Sequence, residues 1–335
     1  MDMQINLRAF PQLIDYFPPR AEMQADILNG LFRPQKEISP KYFYDARGSQ
    51  LFDDITQLPE YYLTRTERGI MKASVADMAR RIGPNAAVIE FGSGSGNKIR
   101  LLLDELDEPV ACVAVEISRD HLLDSTQSLA SNYPQLQTIA ICADFTQPFE
   151  LPPIPGAQRN LVFFPGSTIG NFPPEDAVSL LQVMNHAAGE NGALLIGADL
   201  VKDSTILEAA YNDSAGVTAE FNLNLLAHIN RELQADFVAD EFRHLAVYNK
   251  EAQRIEMYLI SQREQMIQVG GEQIQIECGE RILTEYAYKY ELESFARLAA
   301  RAGFRVEQVW TDPRQHFSVQ YLLREQSVDM AHTKQ

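Results

Sequence analysis

A doubly wound α/β fold, with an α+β lobe inserted late in the chain, is predicted by three features of the sequence. Short apolar runs alternate with amphipathic stretches through the middle of the chain. A glycine-rich turn follows the first of these runs. A block of period-two segments then breaks the alternation before it resumes. The run at 86–92 (AAVIEFG) reads as a buried strand, and 98–106 as a helix with Ile99, Leu102, Leu103 and Leu106 on one face. Further strands are expected at 111–117 (ACVAVEI), 138–143 (TIAICA), 161–164 and 193–198 (ALLIGA), with helices at 120–129 and 176–188. Strands apolar on both faces and separated by helices imply a parallel sheet covered on both sides. Right-handed crossovers then wind it in both directions.

The pattern changes after Asp199. A helix is expected over 216–233, where Phe221, Leu225 and Ile229 recur on one face. Alternation at 255–259 points to an antiparallel strand, and the segments 264–269 and 272–277 around Gly270-Gly271 to a hairpin. A helix over 291–302, stopped by Gly303, and strands at 304–309 and 317–323 return to the α/β pattern. A polar tail from 325 is expected to fray.

Composition narrows the partners. The 335 residues are 45% hydrophobic and carry a net charge of −17, from 29 basic and 46 acidic side chains. Such a chain is repelled by phosphate backbones and anionic lipid, so neither nucleic acid nor a membrane is an expected partner. No apolar run approaches the roughly 20 residues of a membrane span, and 1–19 lack the apolar core of a secretory signal. Cys112, Cys142 and Cys278 form no CxxC pair, and the first two fall in predicted strands as small buried residues. The six histidines make no HxH or HxxxH pattern, so no metal site is expected. These features predict a cytoplasmic protein, expected to be monomeric, with a small-molecule partner.

The sharpest local signal is Glu90-Phe91-Gly92-Ser93-Gly94-Ser95-Gly96, between the first strand and the first helix. Glycines at 92, 94 and 96 let a backbone turn tightly against a ligand. A dinucleotide loop has the spacing GxGxxG, with the helix N-terminus facing a pyrophosphate. Here Asn97 follows Gly96, and the acid Glu90 precedes the loop. The pattern resembles the nucleotide loop of class I S-adenosylmethionine (SAM)-dependent methyltransferases. A carboxylate there can hold the cationic amino end of SAM, whereas it would repel a pyrophosphate. Glu116 ends the second strand, where an acid accepts hydrogen bonds from ribose hydroxyls. Asp144-Phe145 ends the third, where the acid can accept from an adenine amino group while the ring covers its face. Lys98 opens the first helix against the helix dipole, which a ligand carboxylate would compensate. Taken singly, these are also a glycine-rich βα turn, a solvated strand-end acid, a loop cap with a core aromatic, and a surface lysine.

Five longer stretches make a family visible: 42–49 (YFYDARGS), 58–65 (LPEYYLTR), 164–172 (FPGSTIGNF), 199–203 (DLVKD) and 211–213 (YND). From about residue 20 to 324 the chain resembles the histidine-specific Nα-methyltransferases, which make the trimethylated betaine of histidine in ergothioneine biosynthesis. The resemblance implies a class I, Rossmann-like SAM domain over 66–201 plus 290–324, and a substrate lobe over 13–65 plus 202–289. It places Glu90, Gly92, Gly94, Gly96, Lys98, Glu116, Asp144 and Phe145 at SAM. Tyr44 matches the family's tyrosine beside the transferring methyl. Tyr61, Gly166, Asn171 and Tyr211 match its amino-acid-binding residues, with Asn171 and Tyr211 on the substrate's amine and carboxylate. Met257 matches a pocket methionine. The family reads the imidazole with an acid and, two residues on, a serine. Here Glu285 supplies the acid and Ala287 replaces the serine, which removes one hydrogen bond of roughly 0.5–1.5 kcal/mol. Apart from the resemblance, Glu285 is explained as well by an ion pair with Lys289 or Arg281.

The sulfonium of SAM is already activated, so a protein need only align a neutral amine and exclude water, without a nucleophile or metal. Tyr44 and Asn171 are the expected catalytic residues, orienting the amine while water takes its proton. Because of Ala287, N-methylation of another amino acid or amine stands as the alternative. A SAM-binding sensor without turnover and a nicotinamide dehydrogenase are more distant alternatives, the second opposed by Asn97.

Overall fold

The computed structural model describes residues 11–16, 20–92, 97–147 and 149–325. The chain begins with strand β1 (Gln12–Asp15), helix α1 (Arg20–Leu31), a 3-10 turn (Pro40–Phe43), α2 (Ala46–Ile55) and α3 (Tyr62–Ile82). The alternating region gives β2 (Ala86–Phe91), α4 (Asn97–Leu103), β3 (Ala111–Glu116), α5 (Arg119–Asn132), β4 (Gln137–Cys142) and β5 (Arg159–Phe164). A second 3-10 turn (Thr168–Asn171), α6 (Pro174–Ala188) and β6 (Ala193–Asp199) complete it. Then follow α7 (Ser204–Tyr211), α8 (Val217–Leu233), β7 (Phe242–Asn249), β8 (Arg254–Ser261), β9 (Gln265–Val269) and β10 (Glu272–Ile276). Last come β11 (Arg281–Tyr288), α9 (Leu292–Arg301), β12 (Phe304–Thr311) and β13 (Phe317–Arg324).

Eight strands form one sheet in the order β1-β4-β3-β2-β5-β6-β13-β12. The first six are parallel, and β13 runs antiparallel between β6 and β12. The strands β2 and β3 are buried along their whole length, as their unbroken apolar runs require. Alternate residues serve opposite faces: Val88, Leu161, Phe163 and Leu195 enter one core, Ile89, Val113, Val162 and Ile196 the other. The chain steps outward from β2 to β3 and β4, then returns to β5 and β6 on the other side. The crevice at the carboxyl ends of β2 and β5 is the switch point where α/β sheets bind ligands.

In the second lobe β7, β8 and β11 form an antiparallel sheet, and β9 and β10 the expected hairpin about Gly270-Gly271. Helices α7 and α8 pack on β7, and α2 packs on α8. The segment before Tyr44 is stitched to β11: Ile38 N–H donates to Leu283 O and Leu283 N–H to Lys36 O, both at 2.8 Å. One apolar core runs through both lobes, since Phe221, Ile255, Met257 and Leu259 belong to the cluster that contains Val88 and Phe163.

The N-terminal boundary differs from expectation. Gln12–Asp15, expected in the second lobe from residue 13, pairs in parallel with β4 and widens the large sheet. A four-residue edge strand with both ends exposed has no apolar run to mark it. Residues 326–335, part of the tail expected to fray, lie outside the described residues.

Candidate active site

A cavity of about 890 Å³ opens at the carboxyl ends of β2, β3 and β4 and is roofed by the N-terminal segment and β11. That volume is typical of small-molecule sites, which span roughly 300–1,000 Å³. The cavity gathers Glu90 and Gly92 from the end of β2, Glu116 from β3, Lys98 from α4, and Asp144 and Phe145 after β4. Gly166 and Asn171 enter after β5, Tyr44 and Tyr61 from the N-terminal segment, and Glu285 from β11. Gly94 and Gly96 lie outside the described residues.

At the sheet end the site is acidic. Burial pushes the Glu90 carboxyl well above its usual range; Lys98 pulls it down, while Glu116 and Glu67 push it further up. One Glu116 oxygen accepts the N–H groups of Ile117 (2.8 Å) and Ser118 (3.3 Å), which fixes the carboxylate at the strand end. The Phe145 ring sits 5.8 Å from both Phe91 and Phe164. Asp144 meets the roof, accepting from Lys41 at 3.2 Å, while its other oxygen accepts from Thr146. Lys41 also pairs with Asp26, at 3.1 Å.

Sequence reasoning missed Glu67. It is 1% exposed in α3, ion-paired with Lys98 at 2.5 Å, and accepts the Gly166 N–H at 2.9 Å. The cation expected to await a ligand carboxylate therefore already faces a protein carboxylate, and that carboxylate links the first helix to the loop after β5.

Tyr44 is held by local chemistry that the 42–49 stretch encodes. Asp45 caps α2 through the Gly48 N–H (2.7 Å) and also accepts from Arg231 and Asn224, both at 2.8 Å. A Cβ on Gly48 would stand 1.7 Å from the Phe43 carbonyl oxygen, so no other residue fits this turn. Phe43 stacks on Phe221 at 4.5 Å, and the Tyr44 ring meets Phe52 and Phe221 edge-on. Burial raises the Tyr44 hydroxyl well above its usual pKa, and the carboxylates of Glu285 and Glu116 add to it. Tyr44 thus senses an acid of the large sheet and an acid of the second lobe at once.

Tyr211, Met257 and Ala287, at 7%, 1% and 4% exposure, are not among the lining residues but pack directly beside two that are, Tyr211 on Tyr61 and the other two along the strand face of Glu285. Tyr211 meets Tyr61 edge-on at 6.3 Å. Met257 is the cross-strand partner of Glu285, and Ala287 lies two residues further along the same strand face. Glu285 makes neither ion pair allowed by the sequence. Lys289 pairs instead with Asp199 at 3.0 Å, and the Arg281 guanidinium lies 5.5 Å from the Tyr258 ring. Burial lifts the Glu285 carboxyl to about 7, and Lys289 only partly opposes it. A carboxylate so placed calls for a hydrogen-bond donor from a ligand.

Residues 23–324 match the family described as histidine-specific methyltransferase, SAM-dependent. The chain belongs to this family. It is 38% identical over 307 residues to the histidine N-alpha-methyltransferase of Mycolicibacterium smegmatis, covering 90% of this chain and 95% of that one. It is also 38% identical over 302 residues to the protein of that name from Mycobacterium tuberculosis, covering 89% and 93%. To the ergothioneine biosynthesis protein 1 of Neurospora crassa it is 31% identical over 295 residues, 85% of this chain and 33% of that longer one. The protein is therefore a SAM-dependent methyltransferase with a class I, Rossmann-like fold. No described helix is long and apolar enough to cross a membrane, and no cluster of metal-binding side chains occurs among the described residues.

Proposed function

We propose that the protein transfers methyl groups from SAM to the α-amino nitrogen of L-histidine, giving up to Nα,Nα,Nα-trimethylhistidine (hercynine) in ergothioneine biosynthesis. One observation carries the proposal: a single cavity joins the strand-end acids of the large sheet to Glu285 of the second lobe, with Tyr44 between them. The names of the mycobacterial relatives support the same substrate.

The side chains at the sheet end suit SAM. Glu116 offers an acceptor for ribose hydroxyls, Asp144 and Phe145 an acceptor and a ring for adenine, and Glu90, Gly92 and Lys98 surround the amino-acid end. Resemblance to the family assigns Gly94 and Gly96 to the same ligand. Bound SAM supplies a methyl already activated on a cationic sulfur. The remaining residues deliver the amine. Tyr44 and Asn171 orient its lone pair, and a water takes the proton. Tyr61, Gly166 and Tyr211 hold the amino and carboxylate ends. The aromatic faces of Tyr44 and Tyr61 favour the methylammonium as it grows. Glu285 takes an imidazole N–H, Met257 supplies apolar contact, and the small Ala287 leaves one ring nitrogen to water.

The acidic surface and the few exposed large hydrophobics among the described residues (Tyr16, Phe32, Val238 and Met266) favour a cytoplasmic monomer. Incubation with SAM and each free amino acid, followed by mass analysis, is expected to add 14, 28 and 42 mass units, about 14 per methyl, to histidine alone. Methylation of a different amino acid would refute the proposal. Tyr44→Phe and Asn171→Ala are each expected to lower turnover roughly a hundredfold at saturating substrates. Wild-type turnover in both variants would remove these two residues from the mechanism.

A further inference from the structure

The stretches 199–203 and 211–213 mark the family, yet only Tyr211 among them has a role so far. Their geometry gives the rest one. Asp199 ends β6 fully buried and accepts from Lys202 (2.7 Å), Lys289 (3.0 Å) and Tyr62 (2.7 Å). Asp203 caps α7 through the Thr205 N–H at 2.8 Å, and α7 ends at Tyr211. His244 meets the Tyr211 carbonyl at 2.8 Å, and Asn212 is bonded through both ends of its amide to Ala246. The whole stretch is a mount for one tyrosine.

Two ammonium groups share one carboxylate in this mount. The side chains of Lys202 and Lys289 are 5% and 1% exposed, so neither charge is released to water. Lys289 has a second contact: it donates to the Tyr211 hydroxyl oxygen at 3.0 Å. An ammonium can only donate, so the tyrosine's own proton is turned away from it. Burial raises the Tyr211 hydroxyl well above its usual pKa, which keeps that proton in place. Among the described residues no acceptor takes it.

We propose that Lys289 is a positioning residue for the substrate's α-carboxylate: through Tyr211 it presents a polarised O–H donor, and with Lys202 it places an excess of positive charge behind it. The proposal rests on an amino-acid substrate lying against Tyr211. It makes the protein select substrates that carry a free carboxylate beside the amine. Lys289 also lowers the Glu285 carboxyl, so an effect through the imidazole end must be separated from one through the carboxylate end.

Histamine separates them, because it keeps the imidazole and the amine and lacks the carboxylate. Binding of L-histidine and of histamine to the enzyme saturated with S-adenosylhomocysteine is measured by calorimetry for wild type, Lys289→Met, Tyr211→Phe and the double variant. Melting curves confirm that each is folded. Lys289→Met is expected to weaken histidine roughly tenfold or more, as loss of a charge-assisted hydrogen bond does, and to leave histamine within about twofold. In the Tyr211→Phe background the same substitution is expected to lose most of its effect. Lys289→Arg, which keeps a donor and a charge, is expected to recover part of the affinity; should Lys289→Met not fold, Lys289→Gln, which keeps a donor and loses the charge, takes its place and is expected to weaken histidine while sparing histamine. In turnover the loss is expected in KM for histidine, with kcat within about threefold. Equal losses for histidine and histamine, or additive effects of the two substitutions, would overturn the role of Lys289. A wild-type protein that binds no histidine would instead refute the substrate assignment.

Discussion

Two buried carboxylates flank the loop after β5, Glu67 accepting the Gly166 N–H and Asp199 donating its own backbone N–H to Ser167 Oγ, and they differ in charge balance. Glu67 and Glu90 lie beside one ammonium, that of Lys98, so this cluster has an excess of acid. Asp199 lies beside two, those of Lys202 and Lys289, so its cluster has an excess of base. Burial alone would raise the Asp199 carboxyl, yet the two lysines hold it below the usual carboxylate range. Burial also lowers Lys202 to about 8. The same kind of side chain, placed at comparable depth, thus sits in a net negative cluster in one case and a net positive cluster in the other.

The contrast predicts unequal costs. Asp199→Ala strands two deeply buried cations and is expected to destabilise the fold by about 3–5 kcal/mol in denaturant titrations. Glu67→Ala leaves Lys98, whose side chain is 19% exposed, able to reach water, and about 1–3 kcal/mol is expected. Equal losses would mean that the two clusters are not charged as described.

A pH series sharpens the comparison at a third buried carboxyl, that of Glu285. Glu285 titrates near 7 in the fold and near the ordinary 4.5 when unfolded. Its neutral form is favoured by the fold, so its contribution is fully present below about 4.5 and is lost as pH rises through 7. Glu285→Gln is therefore expected to melt progressively higher than wild type as pH rises from 5 to 8, and to bind histidine more weakly at pH 8. A melting difference that does not change with pH would show that the carboxyl is not held neutral. The smallest effect is expected from Ala287→Ser. Its hydroxyl would share a strand face with Glu285 and tighten histidine by roughly 0.5–1.5 kcal/mol, readable by calorimetry; weaker binding would place the imidazole elsewhere.

The large sheet was legible in the chain because its parallel strands are buried on both faces and spell unbroken apolar runs between helices. The strand-end acids were legible for the same reason, since each follows such a run. The supporting network was not. Glu67 stands among arginines in a helix, where local pattern suggests a solvated face, and its partner Gly166 is 99 residues away. Lys289 suggested a partner for Glu285 because the two are near in sequence, but the fold brings Asp199 closer. Residues placed by topology leave no spacing to read. The edge strand β1 escaped notice because four residues at a sheet margin carry too little pattern.

The unbroken apolar core beneath the two lobes has a mechanical consequence. Parting them like a clamshell would divide the one cluster that holds Phe221, Ile255 and Met257 together with Val88 and Phe163, at roughly 25 cal/mol for each Å² wetted. A hinge between the lobes is therefore a costly way to admit reactants, and neither half is expected to persist as a folded fragment on its own.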